Sequence, residues 1–343
     1  MVAATDLSPL KIGAHRARTM ARALRSLYTL PQRDIDAFMN SYVRFDGDWS
    51  KDNGKREAHI VDYYRVLNHL CALGNVEKMY IPPLIDRRAG VLGNQVLFER
   101  KMCRDLNLAA GHRVLDIGCG RGRIAAHVAT HTGARVTGLN IDPTQVDSAR
   151  QFAEMSGLSG RAEFLRGSFN DPLPFGDEAF DAAYQVQAFT YARDLRKVFA
   201  EVFRVLRPGA RFSYLDWVTL PGYDPENPRH VELMNKARFL IGGVDAPTPE
   251  QVIEAMTAVG FELVLQGDPS ENGHQADLIK AEDRYFRMAK EAVDRLVAIR
   301  LFPPHFSLLF ERFTRDADAF IACDELGLAT TTYQIVVRRP ALD

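Results

Sequence analysis

The residues best suited to chemistry stand together from Val114 to Gly122: Val-Leu-Asp-Ile-Gly-Cys-Gly-Arg-Gly, an apolar run ending on an acid and then three glycines at alternate positions. Glycine lets a chain turn sharply and lets a ligand lie against the backbone where a Cβ would clash. If a helix begins at about 122, its first N–H groups face the same spot and favour a carboxylate or other anion. Together these make a backbone cup for a small anionic or zwitterionic molecule. A dinucleotide loop of the form G-x-G-x-x-G needs glycine at 123, where Arg123 stands. Other constellations are weaker. His127 and His131 are four apart on an expected helix, but no third metal ligand accompanies them, so they read as a surface pair and no metal site is expected. His112 stands beside the core domain without metal spacing, and no Ser-His-Asp set or phosphate-cradling P-loop occurs.

A cup of this kind must be held by a sheet. Arg113–Ile117, Arg135–Leu139, Ala162–Arg166, Phe180–Val186 and Arg211–Trp217 read as short buried strands, separated by helices near 122–131, 143–157 and 191–206, the last closed by Pro208-Gly209. That alternation predicts an α/β protein with a doubly wound parallel sheet. Beyond Trp217 a proline-rich loop leads to helices near 229–241 and 248–259, a strand at Phe261–Gly267, about sixty residues of helical pattern and a last strand, Thr331–Arg338. Sixty residues are too many for a plain connection, so they are expected to form a lid inserted between the last two strands. Residues 31–60, polar and charged around Phe45-Asp46-Gly47-Asp48-Trp49, read as a loop or loose connection, and 61–108 as mixed helix. The expected organisation is a helical cap segment over 1–94, a cofactor-binding core over 95–267, and a lid with the last strand over 268–343.

Composition bounds the partners. The chain has 343 residues, 46% hydrophobic and 25% charged, with a net charge of −1. It is long enough for a full core, contains no apolar run that would span a bilayer, and carries no general pull toward nucleic acid. Cys71, Cys103, Cys119 and Cys323 lie far apart without metal or redox spacing, which points to free thiols in a reducing, cytoplasmic setting. The first thirty residues hold one acid, Asp6, against Lys11, Arg16, Arg18, Arg22 and Arg25, with Met20, Leu24 and Leu27 on the opposite helical face. Three readings stay open there: a solvated helix packed on the body, a basic helix in peripheral contact with an anionic membrane, or an organelle-targeting segment. A homo-oligomer is equally compatible with this composition.

The D-x-G-x-G-x-G pattern resembles motif I of the class I S-adenosylmethionine-dependent methyltransferases, and Gly138-Leu139-Asn140 followed by Gln145 narrows the resemblance to the sterol C-methyltransferase group. Phe180-Asp181-Ala182-Ala183-Tyr184, Val205-Leu206-Arg207-Pro208-Gly209, Asp216-Trp217, the loop Tyr223–His230 and the terminal Thr331–Pro340 are similar to that group as well. The resemblance implies a Rossmann-like seven-stranded sheet whose last two strands form an antiparallel hairpin, with an N-terminal helical segment and a lid. It implies S-adenosyl-L-methionine as cofactor, held by Asp116, Gly118, Cys119 and Gly120, by Asn140, Ile141 and Gln145 for the ribose, by Ser168 and Phe169 for the adenine, and by Gln185 beside the methyl. Taken alone, Asn140 is also an ordinary turn residue.

The expected reaction is C-methylation of a hydrophobic small molecule, a sterol, terpenoid or related metabolite, with O- or N-methylation or a non-catalytic cofactor-binding homologue as alternatives. Where the group carries an acid and a histidine after the fourth strand, this chain has Gln187 and Tyr191; these two and Asp216, the first choice of base, are the catalytic candidates. Glu77 and Tyr80 are the polar candidates for the substrate side. If the acceptor were a prenyl diphosphate, Lys78, Arg87 and Arg88 would be placed to neutralise it.

Overall fold

The computed structural model describes residues 20–45, 55–73 and 76–341. Its centre is a seven-stranded sheet of β1 (Arg113–Ile117), β2 (Arg135–Asn140), β3 (Ala162–Arg166), β4 (Phe180–Val186), β5 (Leu206–Thr219), β6 (Glu262–Gly267) and β7 (Ala329–Arg338), in the order β3-β2-β1-β4-β5-β7-β6. The first five strands run parallel and β7 lies antiparallel to both neighbours, the terminal hairpin that the motifs implied. Val114, Leu115 and Ile117 are buried on both faces, which is why the central strands read as continuous apolar runs. One face is covered by α4 (Gly90–Asp105), α5 (Arg123–Thr132) and α6 (Pro143–Met155), and the other by α7 (Leu195–Val205) and α9 (Pro249–Thr257).

Register fixes where ligands can go. Ile117 pairs with Leu139 and with Gln185, and Asn140 with Arg166, so the carboxyl ends of β1, β2, β3 and β4 end in one line. The loops that follow them therefore share a single edge, the ligand edge of an open parallel sheet.

Two boundaries differ from the expectation. The helix expected from 191 begins at Leu195, because Asp194 caps it by accepting from the Lys197 amide at 3.1 Å; Tyr191 sits before it in a 3₁₀ turn, Phe189–Tyr191. Pro208-Gly209 does not close that helix but lies inside β5, where Gly209 at φ 81° donates its N–H to the Arg339 carbonyl.

The larger correction concerns residues 31–60. Outside the undescribed 46–54, they are helical: α2 spans Gln32–Phe45, and α3 spans Lys55–Leu73. The polar composition hides an amphipathic stripe: Ile35 and Phe38 are buried, and Phe38 stacks on Tyr63. Residues 20–28 form a further helix, α1, with Ala23 and Leu27 buried while Arg22 and Arg25 face solvent; this apolar face is spent on the body, and the segment before residue 20 lies outside the described residues.

Between β6 and β7 the expected lid is present as α10 (Ala276–Ala298), α11 (His305–Thr314) and α12 (Ala317–Glu325). It shares one core with the N-terminal helices, built from Leu27, Phe38, Tyr63, Val66, Phe306 and Leu309. With α8 (Pro228–Ile241), whose Ala237 meets Trp217, Ile279 and Phe320, the two sequence-distant parts form a single helical cap over the ligand edge.

Phe38 carries much of that cap: it is fully buried, stacks on Tyr63 at 5.5 Å and lies under the Arg312 guanidinium at 4.7 Å. Phe38→Ala is expected to lower unfolding free energy by about 3–5 kcal/mol, read by chemical denaturation; a loss below ~1 kcal/mol would mean that α2 does not pack on the cap.

Candidate active site

The turn after β1 is built around backbone. The amides of Gly118 and Cys119 both donate to the Leu139 carbonyl, at 2.8 and 3.1 Å, tying the turn to the end of β2. Gly118 has φ 81°, and a Cβ there would lie 2.4 Å from the Ala188 Cβ. Gly122, at φ 70°, starts α5 and packs so tightly on Phe164 that a Cβ would fall 2.6 Å from its ring. The glycines are thus demanded both by backbone sign and by close approach.

Above this turn lies a cleft of about 100 Å³. Eight of the expected cofactor residues line it: Gly118, Cys119, Gly120, Asn140, Ile141, Gln145, Ser168 and Phe169. Asn140 donates to the Gln145 side chain and accepts from the Ile141 amide, and Gln145 donates to Asn68 of α3 at 3.0 Å, so the polar end of β2 is pre-set from the N-terminal cap. Asp142 takes no part in lining the cleft. It caps α6 by accepting from the Thr144 amide and hydroxyl, each at 2.8 Å, and also accepts from Asn68.

Two expected cofactor residues sit beneath the floor instead. Asp116 is 2% exposed and accepts from the Tyr184 hydroxyl at 3.0 Å; burial pushes its carboxyl up to about 7. Gln185 is fully buried, accepts from the Ala188 amide at 3.0 Å and donates toward the Leu215 carbonyl. Both support the loops rather than line the cleft.

The second space is larger, about 460 Å³, bordered by α3, α4, α8, α10 and α12 over the tips of β4 and β5. Its walls are mainly aromatic and aliphatic: Tyr63, Trp217, Ile241, Leu278, Phe286 and Phe320. It shares Tyr64, residues 77–80, Gln187 and Tyr191 with the cleft, so these side chains form the boundary between the two spaces.

Residues 76–81 are an extended strap outside the sheet, and side chains hold its backbone. Arg121, in the glycine turn, donates to the carbonyls of Val76 and Glu77. Gln95 donates to those of Lys78 and Tyr80, the latter at 2.9 Å. Gln187 accepts from the Ile81 amide at 3.1 Å and donates to the carbonyls of Ile81 and Thr331, both at 2.8 Å. Gln187 is therefore a fastener joining β4, strap and lid root, with its hydrogen-bonding capacity already engaged.

The other candidates are placed as follows. Asp216 borders the large cavity but is 1% exposed, and its carboxylate accepts from the amides of Phe189 at 2.7 Å and Trp217 at 2.8 Å, with Gln185 and the Thr190 amide adding to them. Burial pushes it up to about 7. With donors on both oxygens it braces the 187–191 turn while still bordering the cavity. Tyr191 donates to the Gly242 carbonyl at 2.7 Å and stands 3.5 Å from the Tyr64 hydroxyl. Tyr80 donates to Glu99, a fully buried carboxylate that also takes Lys78 and His127. His127 is thus part of a buried ionic cluster in addition to stacking on His131, not merely half of a surface pair. Arg87 faces outward, paired with Glu271 and Asp277, and Arg88 is also exposed, so neither reaches the cavity.

Tyr64, Asn68 and Arg121 escaped the sequence reading. The first two lie on α3, whose weak amphipathic pattern gave no warning, and Arg121 is an unmarked position between two glycines. No group of three or more potential metal ligands occurs among the described residues, and no described helix is long and apolar enough to cross a membrane.

A glycine cradle at the carboxyl edge of a 3-2-1-4-5-7-6 sheet, opening into a capped apolar cavity, defines a class I methyltransferase. Residues 115–214 match the methyltransferase domain family. Over 338 residues, 91% of this chain and 99% of the relative, it is 30% identical to methyltransferase phqN of Penicillium fellutanum. To sterol 24-C-methyltransferase erg-4 of Neurospora crassa it is 30% identical over 71% of this chain and 69% of that one. The [4+2]-cyclase SpnF shares its fold, with a TM-score of 0.68 at 20% identity, covering 83% of this chain and 97% of that one. So does the geranyl diphosphate C-methyltransferase of Streptomyces coelicolor A3(2), at 0.62 and 17%, covering 84% and 98%. The chain belongs to the S-adenosylmethionine-dependent methyltransferases, in the sterol C-methyltransferase family, and S-adenosylmethionine is its cofactor.

Gly118→Ala is expected to abolish uptake of S-adenosylhomocysteine in calorimetry while leaving the chain folded, because the added carbon meets Ala188 beneath the cradle; retained affinity would move the cofactor off this turn. Asp116 gives a pH test. Its folded pKa, about 7, lies above the ordinary 3.8, so the folded state holds the proton longer, and the stabilisation present below pH ~4 is lost as pH rises toward 7. Asp116→Asn, which still accepts from Tyr184, is expected to flatten that decline in denaturation curves taken between those pH values.

Proposed function

We propose that this protein C-methylates a hydrophobic small molecule, a terpenoid, sterol or related metabolite, bound in the large cavity. The observation that carries the reading is the shared boundary: one set of side chains, Tyr64, the 77–80 strap, Gln187 and Tyr191, borders both the cofactor cleft and a larger, mainly apolar space. The bound cofactor supplies an electrophilic methyl on a sulfonium. The protein's own contribution is to hold a carbon nucleophile in line with it and to keep water away.

Gly118, Cys119 and Gly120 present backbone to the methionine end of the cofactor, Asn140 and Gln145 its ribose, and Ser168 with Phe169 its base. Arg121 and Arg123 face the same cleft and suit a carboxylate; Arg123 lies 3.5 Å over the Phe152 ring. Attack by an alkene carbon leaves positive charge on the acceptor. The faces of Tyr64 and Tyr191 and the carboxylate of Glu77 are the groups at the boundary that stabilise it. Glu77, lining both spaces, is the group we assign to remove the final proton. Asp216, held by backbone amides, and Gln187, engaged with Ile81 and Thr331, set the geometry around it.

Incubation with methyl-labelled cofactor and a panel of terpenoids and sterols tests the reading, with NMR locating the new methyl. Label on carbon supports it, and label only on oxygen or nitrogen replaces it with heteroatom methylation. Glu77→Gln is expected to lower kcat by about 10²- to 10⁴-fold with cofactor affinity unchanged; a kcat within ~3-fold of wild type would remove Glu77 from the proton-accepting role.

A further inference from the structure

The charges of the large cavity say what the acceptor carries at its far end. Among the described residues that line it, Lys78 is the only base, and its ammonium is bound by both oxygens of the buried Glu99, at 2.7 and 2.6 Å. Among the described residues, no cation there is left for a ligand phosphate. Four carboxylates border the space: Glu77, Asp216, Glu282 and Asp283. Asp216 is occupied by backbone amides, and Glu77 lies in the field of Arg121 and Arg123.

The other two are on the lid. Leu278, Ile279, Glu282, Asp283 and Phe286 follow three- and four-residue spacing along α10, so one helix face turns this stripe into the cavity. Asp283, with a side chain only 10% exposed, binds Arg287 at 2.6 Å through one oxygen, and its other oxygen is buried without a hydrogen-bond partner. Glu282 is half-buried and forms no ion pair or hydrogen bond with the described residues. Burial alone raises its pKa, with no charged neighbour contributing. A carboxylate set among Leu278, Ile279 and Phe286 is disfavoured unless it takes up a proton or something cationic meets it, and an ammonium keeps it ionised. Glu282 lines the large cavity and not the cofactor cleft, so it faces the part of an acceptor away from the reacting atom.

Resting on the reading of this space as the acceptor cavity, we infer that the acceptor is an apolar skeleton bearing a basic nitrogen, whose ammonium is received by Glu282 on the lid, and that phosphorylated acceptors are excluded. Glu282 is then a specificity-determining residue: an ammonium there gains a charge-assisted hydrogen bond, whereas a diphosphate would meet four acids and, among the described lining residues, no free base.

Three ligands with one skeleton and different heads separate the cases: geranylamine, geraniol and geranyl diphosphate, titrated by calorimetry into the full chain saturated with S-adenosylhomocysteine. The expected order is amine tightest, by about tenfold over the alcohol, with the diphosphate weakest. Glu282→Gln is expected to remove the amine's advantage and leave geraniol binding as it was, which also reports that the cavity is intact. If the variant loses geraniol too, the wild-type ranking decides alone. An alcohol that binds as tightly as the amine, an E282Q variant that still prefers the amine, or a diphosphate that binds tightest would each overturn the assignment while leaving an apolar acceptor cavity standing. Failure of all three ligands to bind would overturn both.

Discussion

The structure depends on a segment that has no secondary structure of its own. Residues 76–81 run between the cofactor cleft and the larger cavity, and the strap's backbone polar groups cannot be left unpaired in such a place. Arg121, Gln95 and Gln187 pair them, from the glycine turn, from α4 and from the end of β4. The side chains of the strap are anchored as well, Lys78 and Tyr80 both on Glu99. A wall made in this way takes its position from three parts of the sheet domain at once. The same residue that shapes the cofactor turn also fixes the partition in front of the acceptor.

The cap supplies what the sheet cannot. An open parallel sheet offers an edge of loops, and loops alone leave a ligand in water. Here α1 to α3 and α10 with α11 bury a common core around Phe38, Tyr63 and Phe306, although they come from opposite ends of the chain. That core places Tyr64 and Asn68 over the cofactor edge, with Gln145 bonded across to Asn68, and places the α10 stripe opposite Trp217. Two buried aspartates, Asp116 and Asp216, stiffen the floor: one bound to Tyr184, the other to the amides of the 187–191 turn. Both are acids whose burial shifts them upward to about 7, but both act here through hydrogen bonds they accept.

Much of this was legible from residue order. Strand–glycine–helix at 113–123 has a local cause, since each glycine must take a backbone conformation or an approach that other residues refuse. The same holds for the strand tips carrying Asn140 and Ser168, which parallel pairing brings to one edge whatever the helices do. What was misread has an equally physical origin. The stretch 31–60 looked like a loop because its few apolar positions find their partners only in α3 and α11, and propensity does not register a partner hundreds of residues away. Asp216 is a candidate base by its type and its place at a strand tip; which hydrogen bonds it accepts depends on how the next turn folds back over it.

The chain's own order therefore determined the sheet, the glycine cradle, the cofactor class and the presence of an inserted lid, all of which follow from backbone sterics and short-range hydrophobic period. Only the tertiary structure decided which polar side chains are spent holding other parts of the protein and which are left to face a ligand. Gln187, Lys78 and Asp216 fall in the first group, whereas Glu282 forms no ion pair or hydrogen bond with the described residues. Hydrogen bonds and ion pairs between distant segments make that division, and they exist only once the cap has closed on the sheet.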